Sequence, residues 1–249
     1  MDVTSAFEPF RDEHPGKPAV RGFIHRAANT CGGVLILSHA AASDCDAPLL
    51  VALAQAFSAS GITVLRCDLP FRQMRPKGRP SAGVAARDQA GLRRAVDLLK
   101  AKGCKKVYLG GLAYGGRQSS LLAASEPGLV DGLLLLSYPL HPPGQRGPLR
   151  TFHFPSVRTP ALFVQASRDP FGTPDEVRPA LELIAAPTRL VIAKDARHDL
   201  FNDDNRETLP RMNDSANSRT SLARKKPKRR TKKSQASSRD ATMIPSSSL

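Results

Sequence analysis

Continuous apolar runs of strand length alternate along this chain with segments of helical periodicity. The apolar runs lie at 33–38, 62–67, 106–110, 132–137, 161–165 and 189–193. The runs at 33–38 and 132–137 are continuous apolar runs, which are typical of parallel strands covered on both faces. The segments between them, at about 46–60, 84–102, 116–124 and 174–183, carry apolar residues at helical spacing. The pattern predicts a doubly wound, mostly parallel α/β sheet with helices on both faces.

Details at the ends of these elements add four expectations. Residues 20–25 alternate apolar and polar positions, which favours a half-exposed edge strand. Asp46 is the expected N-cap of the first helix, before Pro48 in its first turn. The Pro- and Arg-rich segment 68–83 is expected to be a loop, and 138–159 a long connection that partly covers a site.

The distribution of periodicity divides the chain into three parts. Residues 1–19 are expected to be an N-terminal extension and residues 20–205 one α/β domain. From about residue 206 onward, periodicity ends and Ser, Lys, Arg, Asn and Thr dominate. Such a composition buries too little apolar surface to fold, so 206–249 is expected to be a disordered tail.

The positive charge is concentrated in this tail. Of the net charge of +15, residues 211–249 carry +9, because eleven Lys and Arg face only Asp214 and Asp240. The tail is therefore the part expected to contact nucleic acid or other acidic partners. The run 224–230 fits a nuclear import signal or nucleic-acid arm and fits a solvated extension about equally well.

The remaining composition narrows the class of protein. No apolar run approaches the roughly 18 residues of a membrane span, and the N-terminus lacks a basic-then-apolar order. A cytoplasmic protein is expected, or a nuclear one if the basic tail directs import. The four cysteines are scattered, which favours reduced thiols over disulfides or zinc. We expect neither a metal nor a cofactor.

The segment Gly111–Gly115 has the form of a nucleophile elbow without its nucleophile. An apolar strand precedes it, a helix follows it, and glycines flank the central residue, as in the pattern Gly-x-Ser-x-Gly. The central residue is Ala113, which has no hydroxyl. The sequence thus predicts the turn and leaves the nucleophile position empty.

An acid and a histidine follow in the order that an elbow requires. Asp169 comes directly after the run 161–165, and His198 after the run 189–193. Both are expected just beyond the carboxyl ends of parallel strands, where an open α/β sheet has its ligand crevice. Asp169 would orient the imidazole of His198, as in serine hydrolase triads.

An oxyanion hole completes such a site with backbone N–H donors. One expected donor is the N–H of Tyr114, next to the nucleophile position. The other is expected from the loop after the first apolar run, at Ala40. His39 in that loop is expected to order it and not to act as a base.

On these residues the chain resembles the α/β-hydrolase superfamily, specifically its dienelactone-hydrolase-like branch and the small predicted hydrolases related to the KANL/Tex group. The resemblance covers roughly residues 20–202. The matching stretches are 39–50, 65–72, 110–118, 133–143, 161–172 and 196–200. It implies hydrolysis of a carboxylic ester or related bond through an acyl-enzyme.

Two departures from that family coincide in the catalytic machinery. Members usually have Ser where this chain has Ala113, and His-Gly-Ala-Gly-Gly where it has residues 39–43, His-Ala-Ala-Ala-Ser. Alanine in place of glycine is expected to restrict the oxyanion loop, because a residue with a Cβ avoids positive φ.

Three hypotheses remain open from the sequence. The first is a hydrolase-family pseudoenzyme or disabled variant whose crevice still binds a small carbonyl, ester or carboxylate ligand. The second is a non-catalytic binding or scaffold protein that uses the domain surface and the basic tail. In the third, the chain is still an enzyme, in which His198 activates water over a surviving oxyanion hole.

Overall fold

Eight strands form one sheet in the computed structural model of the chain, which describes residues 7–28, 33–144 and 147–200. The strands are β1 Phe7–Asp12, β2 Val20–His25, β3 Val34–Ser38, β4 Thr63–Cys67, β5 Val107–Leu112, β6 Gly132–Leu136, β7 Ala161–Ala166 and β8 Thr188–Ala193. The helices are α1 Pro48–Ala59, α2 Pro70–Met74, α3 Ala85–Ala101, α4 Tyr114–Ser125 and α5 Pro174–Leu181, with a single 3₁₀ turn at Phe154–Ser156.

The sheet is mostly parallel, as the sequence predicts. Its order is β1-β2-β4-β3-β5-β6-β7-β8, and every pairing from β4 to β8 is parallel. Only the pairings β1–β2 and β2–β4 are antiparallel. The carboxyl ends of β3, β5, β6, β7 and β8 therefore point to one edge of the sheet, where the loops that follow them gather.

Helices cover both faces of this sheet. On one face, Leu50 and Ala54 of α1 pack on Leu35, Leu37 and Leu134. The other face is covered by α3, α4 and α5, whose buried side chains form one large cluster. That cluster includes Leu92, Val96, Leu99, Leu122, Ala123, Val177 and Leu181. The two clusters confirm the doubly wound architecture.

The predicted N-terminal extension contains a strand. Residues 7–12 form β1 and pair along their whole length with β2. Consequently β2 lies between β1 and β4, and the expectation that residues 20–25 form the edge strand is wrong. Pro9, which donates no backbone hydrogen bond, is tolerated because β1 is at the edge.

Two further local expectations are corrected by the structure. The N-cap of α1 is Ala47 with no side-chain cap, because Asp46 instead accepts a hydrogen bond from Nη1 of Arg66 at 3.0 Å. The segment predicted as a loop at 68–83 contains the short helix α2, with Pro70 in its first turn.

Some expectations concern residues that the structure does not describe. The basic tail 206–249 and Cys31 lie beyond them. Cys45, Cys67 and Cys104 are free thiols. Over the described ranges, no helix has the length and apolar character needed to cross a membrane.

A buried histidine at the end of β2 predicts a pH dependence of stability. His25 is fully buried, and its Nε2 accepts a hydrogen bond from Nε of Arg66 at 2.9 Å. Burial, with the charge of Arg66, lowers the pKa of His25 to about 4. The unfolded chain therefore binds more protons between about pH 6.5 and pH 4, so the free energy of unfolding should fall as the pH falls through this window.

The variant His25→Gln keeps an acceptor for Arg66 but does not titrate. Urea denaturation at a series of pH values gives the free energy of unfolding as a function of pH. Its slope against pH should be shallower for this variant than for the unchanged chain. Part of the slope will persist, because burial also lowers the pKa of His153 to about 4. An unchanged slope would contradict the assignment to His25.

Candidate active site

Ala113 occupies a strained backbone position between β5 and α4. Its φ is 48° and its ψ is −105°, and the residue is 5% exposed. Residues with a Cβ rarely adopt positive φ, and strain of this kind costs about 1–3 kcal/mol. The chain therefore has the sharp strand–turn–helix geometry that presents a nucleophile, with a methyl group at the position of the nucleophile.

The glycines around Ala113 are required by close packing. A Cβ on Gly111 would lie 2.4 Å from the carbonyl oxygen of Ser38, and one on Gly115 would lie 2.7 Å from that of His39. A Cβ on Gly116 would lie 2.7 Å from the carbonyl oxygen of Gly111. The elbow is thus pressed against the end of β3, which brings it beside the loop that follows β3.

Asp169 and His198 are brought together from the ends of β7 and β8. Nδ1 of His198 lies 2.9 Å from each carboxylate oxygen of Asp169, which is 1% exposed. The carboxylate also accepts bonds from Nε2 of Gln165 at 3.0 Å and from the N–H of Phe171 at 2.9 Å. These donors satisfy a buried charge that would otherwise be costly.

The ring of His198 is held from a second side. The ring of Phe171 stacks on it with centroids 4.1 Å apart. Because Asp169 occupies Nδ1, any proton transfer in the crevice has to use Nε2. The arrangement is that of the acid and base of a triad.

His39 orders the loop after β3. Its Nδ1 lies 2.8 Å from the carbonyl oxygen of Ala40, and its Nε2 accepts the N–H of Leu69 at 3.1 Å. These partners place the proton on Nδ1, and burial lowers the pKa of His39, so the ring is neutral. Both ring nitrogens of His39 are therefore occupied by backbone groups, which agrees with the expectation that it orders the loop.

The two expected oxyanion donors lie on neighbouring segments. The N–H of Tyr114 is in the first turn of α4, where N–H groups have no intrahelical acceptor. The N–H of Gly115 donates to the carbonyl oxygen of His39 at 3.1 Å, which ties the loop carrying Ala40 to the elbow.

The backbone of this loop agrees with the expectation that its alanines avoid positive φ. None of Ala40, Ala41 and Ala42 has positive φ. The loop closes through a turn in which the N–H of Ser43 donates to the carbonyl oxygen of Ala40 at 3.2 Å. It takes a path that alanine permits without strain.

Arg72 of α2 clamps the same loop, a role that the sequence does not reveal. Its Nε donates to the carbonyl oxygen of Ser43 at 2.9 Å and its Nη2 to that of Ala41 at 3.0 Å. Asp68, near it in sequence, accepts the N–H of Cys45 at 2.8 Å. Arginine fixes the loop through backbone carbonyls, which no residue pattern marks.

Asp88 of α3 fixes the first turn of α4, and no sequence pattern marks this role either. It accepts the hydroxyl of Tyr114 at 2.7 Å and the N–H of Phe71 at 2.9 Å. Burial raises the pKa of the Asp88 carboxyl, while these two donors lower it. The ring of Tyr114 is thereby anchored, and its N–H stays at the elbow.

A crevice of about 530 Å³ opens beside the histidine. It is lined by Arg168, Pro170, Arg197, His198 and Asp199. An apolar cavity of about 480 Å³, lined in part by Phe57 and Tyr108, lies at the amino ends of the strands, away from this chemistry. Only the first of the two contains a residue of the candidate acid–base pair.

Comparison with known proteins gives a family match. A family model described as an alpha/beta hydrolase domain matches residues 32–224. That range includes Ala113, Asp169 and His198.

Many solved structures share this architecture. A dienelactone hydrolase from Anabaena variabilis is 21% identical and has a TM-score of 0.64, with 81% of this chain and 92% of that chain covered. An α/β serine hydrolase homologue from Coxiella burnetii is 18% identical, with a TM-score of 0.63 and coverage of 77% and 88%. Est1E from Butyrivibrio proteoclasticus is 15% identical, with a TM-score of 0.63 and coverage of 80% and 93%. At these identities the likeness concerns the fold.

Proposed function

Because this chain belongs to the α/β-hydrolase domain family, we propose that it is a hydrolase-fold protein whose serine acyl-enzyme chemistry is lost at Ala113 and whose crevice binds small carbonyl, ester or carboxylate ligands. One observation carries the proposal. Ala113 sits at φ 48° in a turn built for a nucleophile, while Asp169 and His198 remain paired at 2.9 Å.

The chemistry that this geometry supports is acyl transfer with one participant missing. A hydroxyl at residue 113 would attack the carbonyl carbon, Nε2 of His198 would take its proton, and Asp169 would stabilise the imidazolium. The N–H groups near Tyr114 and Ala40 would bind the developing oxyanion. A methyl group cannot attack, so no acyl-enzyme forms, while the groups that bind and polarise a carbonyl persist.

Binding of a small polar ligand is supported by the charges around the crevice. Arg197 lines it with His198 and Asp199, and Arg168 lines it with its guanidinium paired to Asp195. The first turn of α4 presents its N–H groups at the elbow. A carboxylate, or the carbonyl of an ester, is the group that such donors prefer.

Labelling with a serine-directed fluorophosphonate tests the loss of the nucleophile. We expect no labelling of the purified chain, and no more hydrolysis of p-nitrophenyl acetate than by its His198→Ala variant. Slow turnover that disappears in His198→Ala would instead support activation of water by His198.

Ligand mapping by NMR tests the binding part of the proposal. Small carboxylates and unreactive ester analogues should shift the signals of Tyr114 and His198 first. Shifts confined to other surfaces would contradict the proposal and favour the scaffold hypothesis.

A further inference from the structure

A second polar cluster lies on the side of α4 that faces the segment after β6. Arg117 is one helical turn beyond Ala113, since its N–H donates to the carbonyl oxygen of Ala113 at 2.9 Å. On the facing segment, Nε2 of His153 lies 2.8 Å from the hydroxyl oxygen of Ser120. His153 is 5% exposed and Ser120 is 1% exposed, so the contact is buried.

Two buried nitrogen atoms of this cluster have no partner. Over the described residues, neither Nε of Arg117 nor Nδ1 of His153 makes a hydrogen bond. A buried polar group left unpaired destabilises the fold, and more so when it is charged. Nε of Arg117 is a donor. Nδ1 of His153 is a donor in the tautomer in which Nε2 accepts the hydroxyl of Ser120, which also lies 2.9 Å from the carbonyl oxygen of Arg117.

The cluster also lacks a counter-ion. Within the described part of the chain, no carboxylate pairs with Arg117 or Arg150. Among the described residues, the guanidinium of Arg150 donates a hydrogen bond only to the carbonyl oxygen of Pro139, at 3.3 Å. Burial, followed by the charge of Arg117, lowers the pKa of Arg150.

Tyr138, the remaining titratable neighbour, does not supply the negative charge. Its hydroxyl donates to the carbonyl oxygen of Arg150 at 2.7 Å. Burial raises the pKa of Tyr138 to about 12, so it stays a neutral phenol at physiological pH. Arg117 and Arg150 are half-buried as residues, although Nε of Arg117 is itself covered by protein atoms.

We propose that Arg117, Arg150 and His153 form a binding site for the oxyanion of a carboxylate or phosphate group, one helical turn from Ala113. The anion would accept from Nε of Arg117 and Nδ1 of His153, and would neutralise the two guanidinium groups. The site does not depend on the chemistry of the elbow, so it holds whether or not the crevice binds an ester.

Titration of the full chain with inorganic phosphate and with acetate tests this site. The ring signals of His153 in ¹H–¹³C NMR spectra should shift, and Arg117→Gln and Arg150→Gln should each weaken binding at least about tenfold, as expected for loss of a charged donor. Arg117→Lys keeps the charge but not the Nε donor, so its affinity for the anions should lie between those of the unchanged chain and Arg117→Gln.

Two matched variants separate this site from the general positive charge of the domain and from the crevice of His198. Arg178→Gln removes the same charge from an exposed position on α5, and Arg197→Gln removes a cation from that crevice. Arg178→Gln should bind the two anions as the unchanged chain does. Arg197→Gln should leave the anion-induced shifts of the His153 signals unchanged, whatever it does to binding in the crevice of His198. Absence of binding to the unchanged chain, or binding abolished by Arg197→Gln and untouched by Arg117→Gln, would overturn the proposal.

A final comparison distinguishes a free anion from the anionic end of a larger ligand. Mono-p-nitrophenyl succinate carries a carboxylate that p-nitrophenyl acetate lacks. Tighter binding of the succinate that disappears in Arg117→Gln would assign the site to the ligand's own carboxylate. Equal binding of the two esters, with phosphate still bound, would assign it to a separate ion.

Discussion

Ala113→Ser is expected to give this chain measurable hydrolysis of an activated ester such as p-nitrophenyl acetate. The turn already holds residue 113 at φ 48°, and the paired Asp169 and His198 supply the base that a serine needs. General-base assistance is worth about a hundred- to ten-thousandfold in rate, so the variant should exceed the unchanged chain by at least about a hundredfold. Steady-state release of p-nitrophenol measures this rate of hydrolysis.

The restored rate should depend on the whole assembly. His198→Ala or Asp169→Asn in the serine background should return hydrolysis to the background rate, because serine alone is a weak nucleophile. Ala124→Ser is the matched control, since it adds the same hydroxyl to α4 about three turns beyond the elbow. A folded Ala113→Ser protein at the solvent rate would show that the triad interpretation is wrong.

Gly111→Ala is expected to lower the stability of the domain substantially. The added Cβ would lie 2.4 Å from the carbonyl oxygen and 2.6 Å from the hydroxyl oxygen of Ser38, so β5 and β3 would have to separate. Overpacking costs about 1–3 kcal/mol, and a clash with backbone is expected at the upper end of that range. For a domain of this size the thermal midpoint should fall by roughly 6–12 °C.

Gly147→Ala provides the control for this substitution. A Cβ on Gly147 meets nothing within 4 Å, and the chemical change is the same. Thermal unfolding followed by circular dichroism should give that variant the midpoint of the unchanged chain. Equal midpoints for Gly111→Ala and Gly147→Ala would contradict the close contact between the elbow and the end of β3.

The central sheet could be predicted because its strands are buried on both faces. Apolar runs at 33–38 and 132–137 correspond to β3 and β6, and the helix predicted at 84–102 is α3, Ala85–Ala101. Burial on two faces leaves no polar position to break the run, and glycines mark the helix ends.

The peripheral elements could not be predicted for the converse reason. β1 is mostly exposed and contains Pro9, so it lacks both an apolar run and an alternating pattern. Helix α2 spans five residues in a segment rich in Pro and Arg, and its ends carry no side-chain cap. Asp46 has the residue type of a cap, but Arg66, distant in sequence, takes its carboxylate.

Some residues of the candidate site could likewise be predicted from the sequence, and others could not. Positions at strand ends predicted that Asp169 and His198 would meet, because parallel strands place their carboxyl ends at one edge. The sequence did not predict the roles of Arg72, Asp88 and Gln165. Each of them bonds largely to backbone groups of segments that come close to it only in the folded chain.

The methyl group at residue 113 would change what determines the occupancy of the crevice by its ligand. An enzyme consumes its ligand, so its occupancy reflects turnover as well as concentration. A crevice without an attacking atom would release each ligand intact, and its occupancy would follow the free concentration of that ligand alone. Residence time would then be set by dissociation, so the crevice would report the presence of a ligand and not its turnover.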